Sequence, residues 1–284
     1  MSIGSLVGGG VRDKAGAMTS SITATLVGGP TLRLTYAGLT FLTDPTFDDP
    51  RAFPAAGAGG VTLTKLVGPA IAVRDLGPVD VVLLSHDQHA DNLDDAGRAF
   101  LADVPTVVST QDAADRVPGV VGLDAWESID EGDVTITAVP ARHGPEGAEP
   151  YSGVVTGFVL QAAGSPTVYV SGDNASLDVV AAVARRFSAI DLAVLFVGGA
   201  NVGRFGAEPV TLDALLASAA IDLLAPARVI PVHHTDWAHF VDPLAALEER
   251  LAVGGRRERL LVLERGVPTD ALGPTVGAPE RLAV

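Results

Sequence analysis

From residue 21 to residue 265, short apolar runs alternate with glycine- and proline-marked turns. Ser21 to Val27 alternates apolar with small polar residues, the period of a half-buried strand. Gly28-Gly-Pro30 turns the chain, Thr31 to Tyr36 alternates again, Ala37-Gly38 turns it back, and Leu39 to Leu42 makes a third strand: a β-meander. Asp48 to Leu76 is rich in Pro, Gly and Ala and predicts an irregular loop partly covering a site. Val81 to Leu84 reads as a fully buried strand, followed by an amphipathic helix over Asn92 to Ala102 with Leu93, Ala96, Phe100 and Leu101 on one face. Strands are predicted at Thr106–Ser109, Val134–Val139, Val154–Gln161, Thr167–Val170, Leu192–Val197, Arg228–Val232 and Leu260–Leu263. Helices are predicted at Gln111–Val117, Leu177–Phe187, Val210–Leu224 and Pro243–Val253. A meander followed by alternating strand and helix predicts two sheets with helices outside them. No composition break interrupts 21–265, so one domain is expected there. Residues 1–20, with a second natural start at Met18, are expected to be a disordered extension, and 266–284 a loose tail.

Several strands run directly into residues that bind metals. Val81–Leu84 leads to His86-Asp-Gln-His89-Ala-Asp91-Asn92, and Val134–Val139 leads through Pro140-Ala-Arg to His143. Thr167–Val170 leads through Ser171-Gly to Asp173, and Arg228–Val232 leads to His233. All six histidines (His86, His89, His143, His233, His234 and His239) lie in such loops. Open α/β folds place their chemistry at strand ends, where an exposed loop is held by rigid flanks. Bland alternatives exist for several of these residues. Asn92 with Asp95 could cap a helix, and Asp44 could simply turn the chain before Pro45 rather than orient a ligating histidine. His234 must point away from His233 if the strand continues. Trp237, His239 and Phe240 are either packing or a pocket wall with His239 touching the substrate or its leaving group. Arg142 and Tyr151 fall near the expected mouth. Gly198-Gly-Ala-Asn201 lacks the Lys and Ser/Thr of a phosphate cradle and reads as a tight turn.

Composition narrows the chemistry. The 284 residues contain no cysteine, so a transition metal must be held by His, Asp, Glu or Asn. A net charge of −15 repels phosphate backbones and argues against nucleic acid as a partner. No apolar run is long enough to span a membrane, and the first residues lack a signal pattern, so a cytoplasmic protein acting on a small molecule is expected, with homo-oligomerisation left open. No Gly-x-Ser-x-Gly elbow supports a serine hydrolase.

The order of histidine loop, single His, Gly-Asp and late His resembles the metallo-β-lactamase superfamily. It most resembles the branch containing ascorbate-6-phosphate lactonase and N-acyl-phosphatidylethanolamine phospholipase. Leu42-Thr-Asp-Pro45, Leu84-Ser-His86, Pro140-Ala-Arg-His143, Ser171-Gly-Asp173 and Pro231-Val-His233 carry the resemblance, which covers nearly the whole chain. It implies an α/β, four-layer αββα sandwich with two mixed sheets. It implies one divalent ion held by His86, His89 and His143, and a second held by Asp91 and His233 with Asp173 bridging; zinc is expected first, manganese or iron next. Asp91 would orient the attacking water, and Asp91 and His239 are the catalytic candidates. The family loop is His-x-His-x-Asp-His. Here one extra residue separates the first two histidines and Asn92 replaces the last, so the second ion is weak, absent, or helped by Asp87. The function implied is metal-dependent hydrolysis of an ester, lactone or phosphodiester. The alternative is a non-catalytic or sensor member of the same fold.

Overall fold

The computed structural model describes residues 21–55, 60–187 and 189–273; the 1–20 extension and residues 274–284 lie outside them. The meander forms as predicted: β1 (Thr23–Gly28), β2 (Thr31–Tyr36) and β3 (Leu39–Thr43). The Pro/Gly/Ala stretch after it contains a two-residue hairpin, β4 (Ala52–Phe53) and β5 (Leu63–Thr64). Then come β6 (Val81–Leu83), α1 (Asp95–Phe100), β7 (Thr106–Thr110), α2 (Gln111–Arg116) and β8 (Val120–Leu123). The second half runs β9 (Ser128–Glu131), β10 (Val134–Pro140), α3 (Glu149–Ser152), β11 (Thr156–Ala162), β12 (Val168–Val170) and α4 (Leu177–Arg186). It continues with β13 (Leu192–Phe196), α5 (Ala214–Leu224), β14 (Arg228–Val232), α6 (Leu244–Val253) and β15 (Thr269–Asp270).

One seven-stranded sheet has the order β15-β1-β2-β3-β6-β7-β8 and one six-stranded sheet the order β14-β13-β12-β11-β10-β9. Both are mixed. In the first, β3, β6, β7 and β8 are parallel; in the second, β12, β13 and β14 are parallel, and β10 shares their sense because both it and β12 are antiparallel to β11. Side chains alternate across each strand, so each sheet feeds two apolar layers. Leu34, Phe41, Val81, Leu83, Ile136, Phe158, Val170, Val194 and Val232 pack between the sheets. Tyr169, Ala193, Leu195 and Val229 face Val180 and Val183 of α4, Ala217 and Ile221 of α5, and Leu247 and Leu251 of α6. Leu42, Val82, Leu84 and Val107 cover the other outer face with Leu93, Leu101 and Val117. The result is the expected αββα sandwich.

The element ends differ from expectation where polar side chains claim backbone groups. The first helix begins at Asp95, not Asn92, because Asp94 caps it by accepting from the Gly97 amide at 2.8 Å. Asn92 is therefore no helix cap. The helix expected from Val210 begins at Ala214, where Asp213 caps by accepting from the Leu216 amide. Leu260–Leu263 is not a strand. The Leu261 amide bonds Val229 O in one sheet and the Gly266 amide bonds Leu26 O in the other, so this segment crosses between sheets instead of lying along one. Thr269 and Asp270, expected in the loose tail, pair with β1. Among the described residues no helix is long and apolar enough to cross a membrane.

Candidate metal centre

All the ligand-type loops leave the same end of the sandwich. The two sheets are tied there: the Thr156 amide, at the start of β11, donates to Ser85 O just past β6. Gly172 lies so close that a Cβ on it would sit 2.4 Å from Thr156 O, which is why this turn before Asp173 needs glycine.

His86, His89 and His143 meet in this corner. His86 Nε2 lies 2.9 Å from His89 Nδ1, which lies 3.2 Å from His143 Nε2. His143 Nδ1 donates to Val210 O at 2.7 Å, so the neutral ring presents a lone pair at Nε2. His86 Nδ1 is 2.9 Å from Ser85 Oγ, and Ser85 Oγ and N both donate to the Asp44 carboxylate, at 2.7 and 2.6 Å. Asp44 is thus the carboxylate behind a histidine, acting through Ser85. Burial pushes Asp44 up to about 7 against the hydrogen bonds it receives from Asn92 and Ser85. Burial, reinforced by the neighbouring imidazoles, holds His86 well below its ordinary value and pushes His89 down to about 4. Burial thus disfavours charge on His86 and His89.

A second trio adjoins it. Asp91 Oδ2 is 3.2 Å from His233 Nε2 and 2.9 Å from His239 Nε2. Burial alone would raise Asp91, but the attraction of His239 and the hydrogen bonds from His233 and His239 hold it well below the usual carboxylate range. Burial opposes charge on His233, yet Asp173 and Asp91 outweigh it and raise its pKa. Asp173 stands between the trios, with Oδ2 3.5 Å from His143 Nε2 and Oδ1 3.8 Å from His233 Nδ1. Both Asp173 oxygens, Asp91 Oδ1 and His233 Nδ1 are buried with no hydrogen-bond partner. Buried acceptors without donors are costly. Carboxylates and imidazole lone pairs that converge in this way suit a borderline divalent cation.

Other candidates fall elsewhere. Asp87 is turned to Arg116, which donates to it from Nη2 at 2.6 Å and Nε at 3.1 Å. Asn92 is fully buried and donates from Nδ2 to Asp44 Oδ2 at 3.0 Å. His234 belongs to neither trio. Arg142 lines a cleft beside His143 with Glu208, and the ring of exposed Tyr151 carries the Arg204 guanidinium at 5.1 Å.

The loop bearing His233 and His239 is held from outside both sheets. Asp236 Oδ2 accepts from the Gly29 amide at 2.8 Å and pairs with Arg265 Nη2 at 3.0 Å, and Asp236 O accepts from the Leu66 amide. Trp237 bridges Lys65 and packs on Phe53 of β4. Lys65 Nζ, almost fully buried, reaches Asp94 Oδ2 at 3.0 Å. Ser85, Val210 O and the Lys65–Asp94 pair were not read from the sequence. Ser85's place directly before His86 was a usable signal; a backbone carbonyl such as Val210 O leaves none.

An αββα sandwich with a histidine trio adjoining an Asp/His/His trio at one edge defines a class, that of metal-site proteins built on paired mixed sheets. The model of the beta-lactamase superfamily domain matches residues 40–234, and the chain belongs to the metallo-β-lactamase superfamily. A UPF0173 metal-dependent hydrolase of Pyrococcus abyssi is 28% identical over 200 residues, 68% of this chain and 82% of that one. A possible metal-dependent hydrolase of Veillonella parvula superposes with a TM-score of 0.75 at 20% identity, over 88% of this chain and 100% of that one. The isothiocyanate hydrolase from Delia radicum gut bacteria does so with a TM-score of 0.73 at 22% identity, over 88% and 99%. The last two likenesses are of fold.

Proposed function

We propose that the protein is a metal-dependent hydrolase that cleaves an ester, lactone or phosphodiester of a small molecule with water. One domain over 21–265 would carry this activity, in the cytoplasm. The observation behind the reading is the convergence of His86 Nε2, His89 Nδ1 and His143 Nε2, with two of the rings tied off at their far nitrogens. These three would hold one divalent ion. Asp91 and His233 would hold a second, with Asp173 between. Zinc suits this donor set, with manganese or iron next. Such an ion lowers the pKa of water toward about 7 and polarises the oxygen under attack.

The chain's own residues do the rest. Asp91, kept ionised by His239 and His233, has Oδ1 free to orient the water and take its proton. Ser85 and Val210 O fix the tautomers of His86 and His143, so no proton blocks their inward nitrogens. The resemblance to ascorbate-6-phosphate lactonase and N-acyl-phosphatidylethanolamine phospholipase suggests lactones and phosphodiesters as first substrates.

The test is turnover of generic ester, lactone and phosphodiester substrates by zinc- and manganese-loaded protein. Activity should vanish with a chelator and return when metal is restored. Stably bound metal with no turnover on any of the three classes would overturn the hydrolase and favour the sensor reading.

A further inference from the structure

We propose that His239 supplies the imidazole of the second ion site in place of Asn92. The site is then Asp91, His233 and His239, with Asp173 shared between the two ions. This rests on the reading of the corner as a metal centre, but it concerns binding and stands whether or not the protein turns over a substrate.

Asn92 is the neighbour of Asp91 in sequence, but its amide is turned to the network behind His86, and its Oδ1, buried without a hydrogen-bond partner, is a neutral and weaker ligand than imidazole. Its Nδ2 donates to Asp44 Oδ2 at 3.0 Å, with Ser85 Oγ at 3.4 Å. His239 lies 148 residues from Asp91 in sequence, but its Nε2 is 2.9 Å from Asp91 Oδ2. The ligand atoms of Asp91, His233 and His239 all lie within 4.8 Å of one another. The contact with His239 satisfies only Asp91 Oδ2, and both Asp173 oxygens stay buried without a donor. A cation among them removes that cost.

The backbone presents His239 rigidly. The Ala238 amide donates to Thr64 O at 3.0 Å, and His239 O accepts from the Asn201 amide at 3.0 Å. Phe240 bridges Ala200 and packs edge-on against the His233 ring at 4.7 Å. Gly198 permits this approach, since a Cβ there would lie 2.4 Å from His233 O and 2.7 Å from Phe240 Cδ1. Phe196 stacks on the other side of His233. The two imidazoles are therefore aimed at Asp91 by packing before any ion arrives, the pre-organisation a built site needs.

The experiment compares wild type, His239→Gln and Asn92→Ala, loaded with cobalt(II) or zinc and freed of loose metal. Metal per chain is read by elemental analysis, the cobalt site by its visible absorption, and folding by circular dichroism. Wild type should hold about two ions, and Asn92→Ala should keep the affinity of the second, any loss falling on the first site that Asp44 and Ser85 support. His239→Gln should keep about one, with the second site weakened at least ~10-fold, since loss of even an outer-shell partner costs that much. In proton NMR of the cobalt-loaded wild type, each of His86, His89, His143, His233 and His239 should give a paramagnetically shifted ring resonance; this readout needs no variant to fold. Second-ion affinity unchanged in His239→Gln, its loss in Asn92→Ala alone, or no shifted resonance from His239 would overturn the proposal. Two ions bound through His239 without turnover would sink the hydrolase alone, and turnover with His239 dispensable for metal would sink this inference alone.

Discussion

Asp44 lies one residue past β3 with φ +28°, and its buried carboxylate collects the Ser85 amide, the Ser85 hydroxyl and the Asn92 amide. Its burial has a pH consequence. A carboxyl raised from an ordinary value near 4 to about 7 favours the folded protein below the lower value, and that advantage is lost as pH rises through the upper one. Asp44→Asn is neutral throughout. In metal-free protein, the melting temperature of Asp44→Asn minus that of wild type should therefore climb between about pH 4 and pH 7 and level off above; a flat difference would mean that Asp44 ionises normally. Asp44 also marks how legible single residues were. The carboxylate behind a histidine was one of two readings open for it, but the intermediary, Ser85, was not foreseen. His86, His89, Asp91, His143, Asp173 and His233 could be picked out because each follows closely on an apolar run. His239 follows none; it was singled out for contact with the substrate rather than with a metal, and Trp237 and Phe240 beside it made packing the readier reading.

At the scale of elements, α1 and the β4–β5 hairpin share one anchor. Asp94 accepts from the amides of Phe47, Asp48 and Gly97 and from Lys65 Nζ, so one carboxylate caps the helix, fixes the strand-exit backbone and holds the hairpin down. Gly97 faces Pro45 O so closely that a Cβ would overlap it, which explains a glycine within a six-residue helix. Removing Asp94 strands a buried ammonium. Asp94→Ala should cost about 3–5 kcal/mol in urea denaturation. Lys65→Met leaves Asp94 with three backbone donors and should cost about 1–3 kcal/mol; equal losses would show the cap, not the ion pair, to be what matters. The same anchor explains why the helix start was misjudged. Hydrophobic period finds the buried face of a helix, but a polar side chain decides its first residue. The small strands β8 and β9 escaped notice because Val120–Leu123 is only four residues long and broken by Gly122, and Ser128–Glu131 is mostly polar.

Taken whole, the molecule puts one sheet's proposed ligands, His86, His89 and Asp91, against those of the other, His143, Asp173 and His233. The layered fold could be anticipated from alternation of strand and helix, but the facing of the two sets could not, since no local pattern encodes the register of one sheet on another. Because both sheets contribute, a bound ion acts as a brace between them. A ligand held only by the folded state adds about 2.7 kcal/mol at a hundredfold excess over its Kd. For a protein of this size that is a rise of roughly 5–10 °C. Thermal melts with added zinc should show it and a chelator should reverse it; an unmoved transition would mean that the corner binds nothing.

The latch of Asp236 on Arg265 sets an order of events during synthesis. His233 and His239 leave the ribosome before Arg265 does, so every proposed ligand is exposed before the last contact on the loop carrying two of them can form. A growing chain thus holds all its proposed ligands while one clasp on their loop is still missing, and the proposed second site would be among the last parts of the fold to be completed.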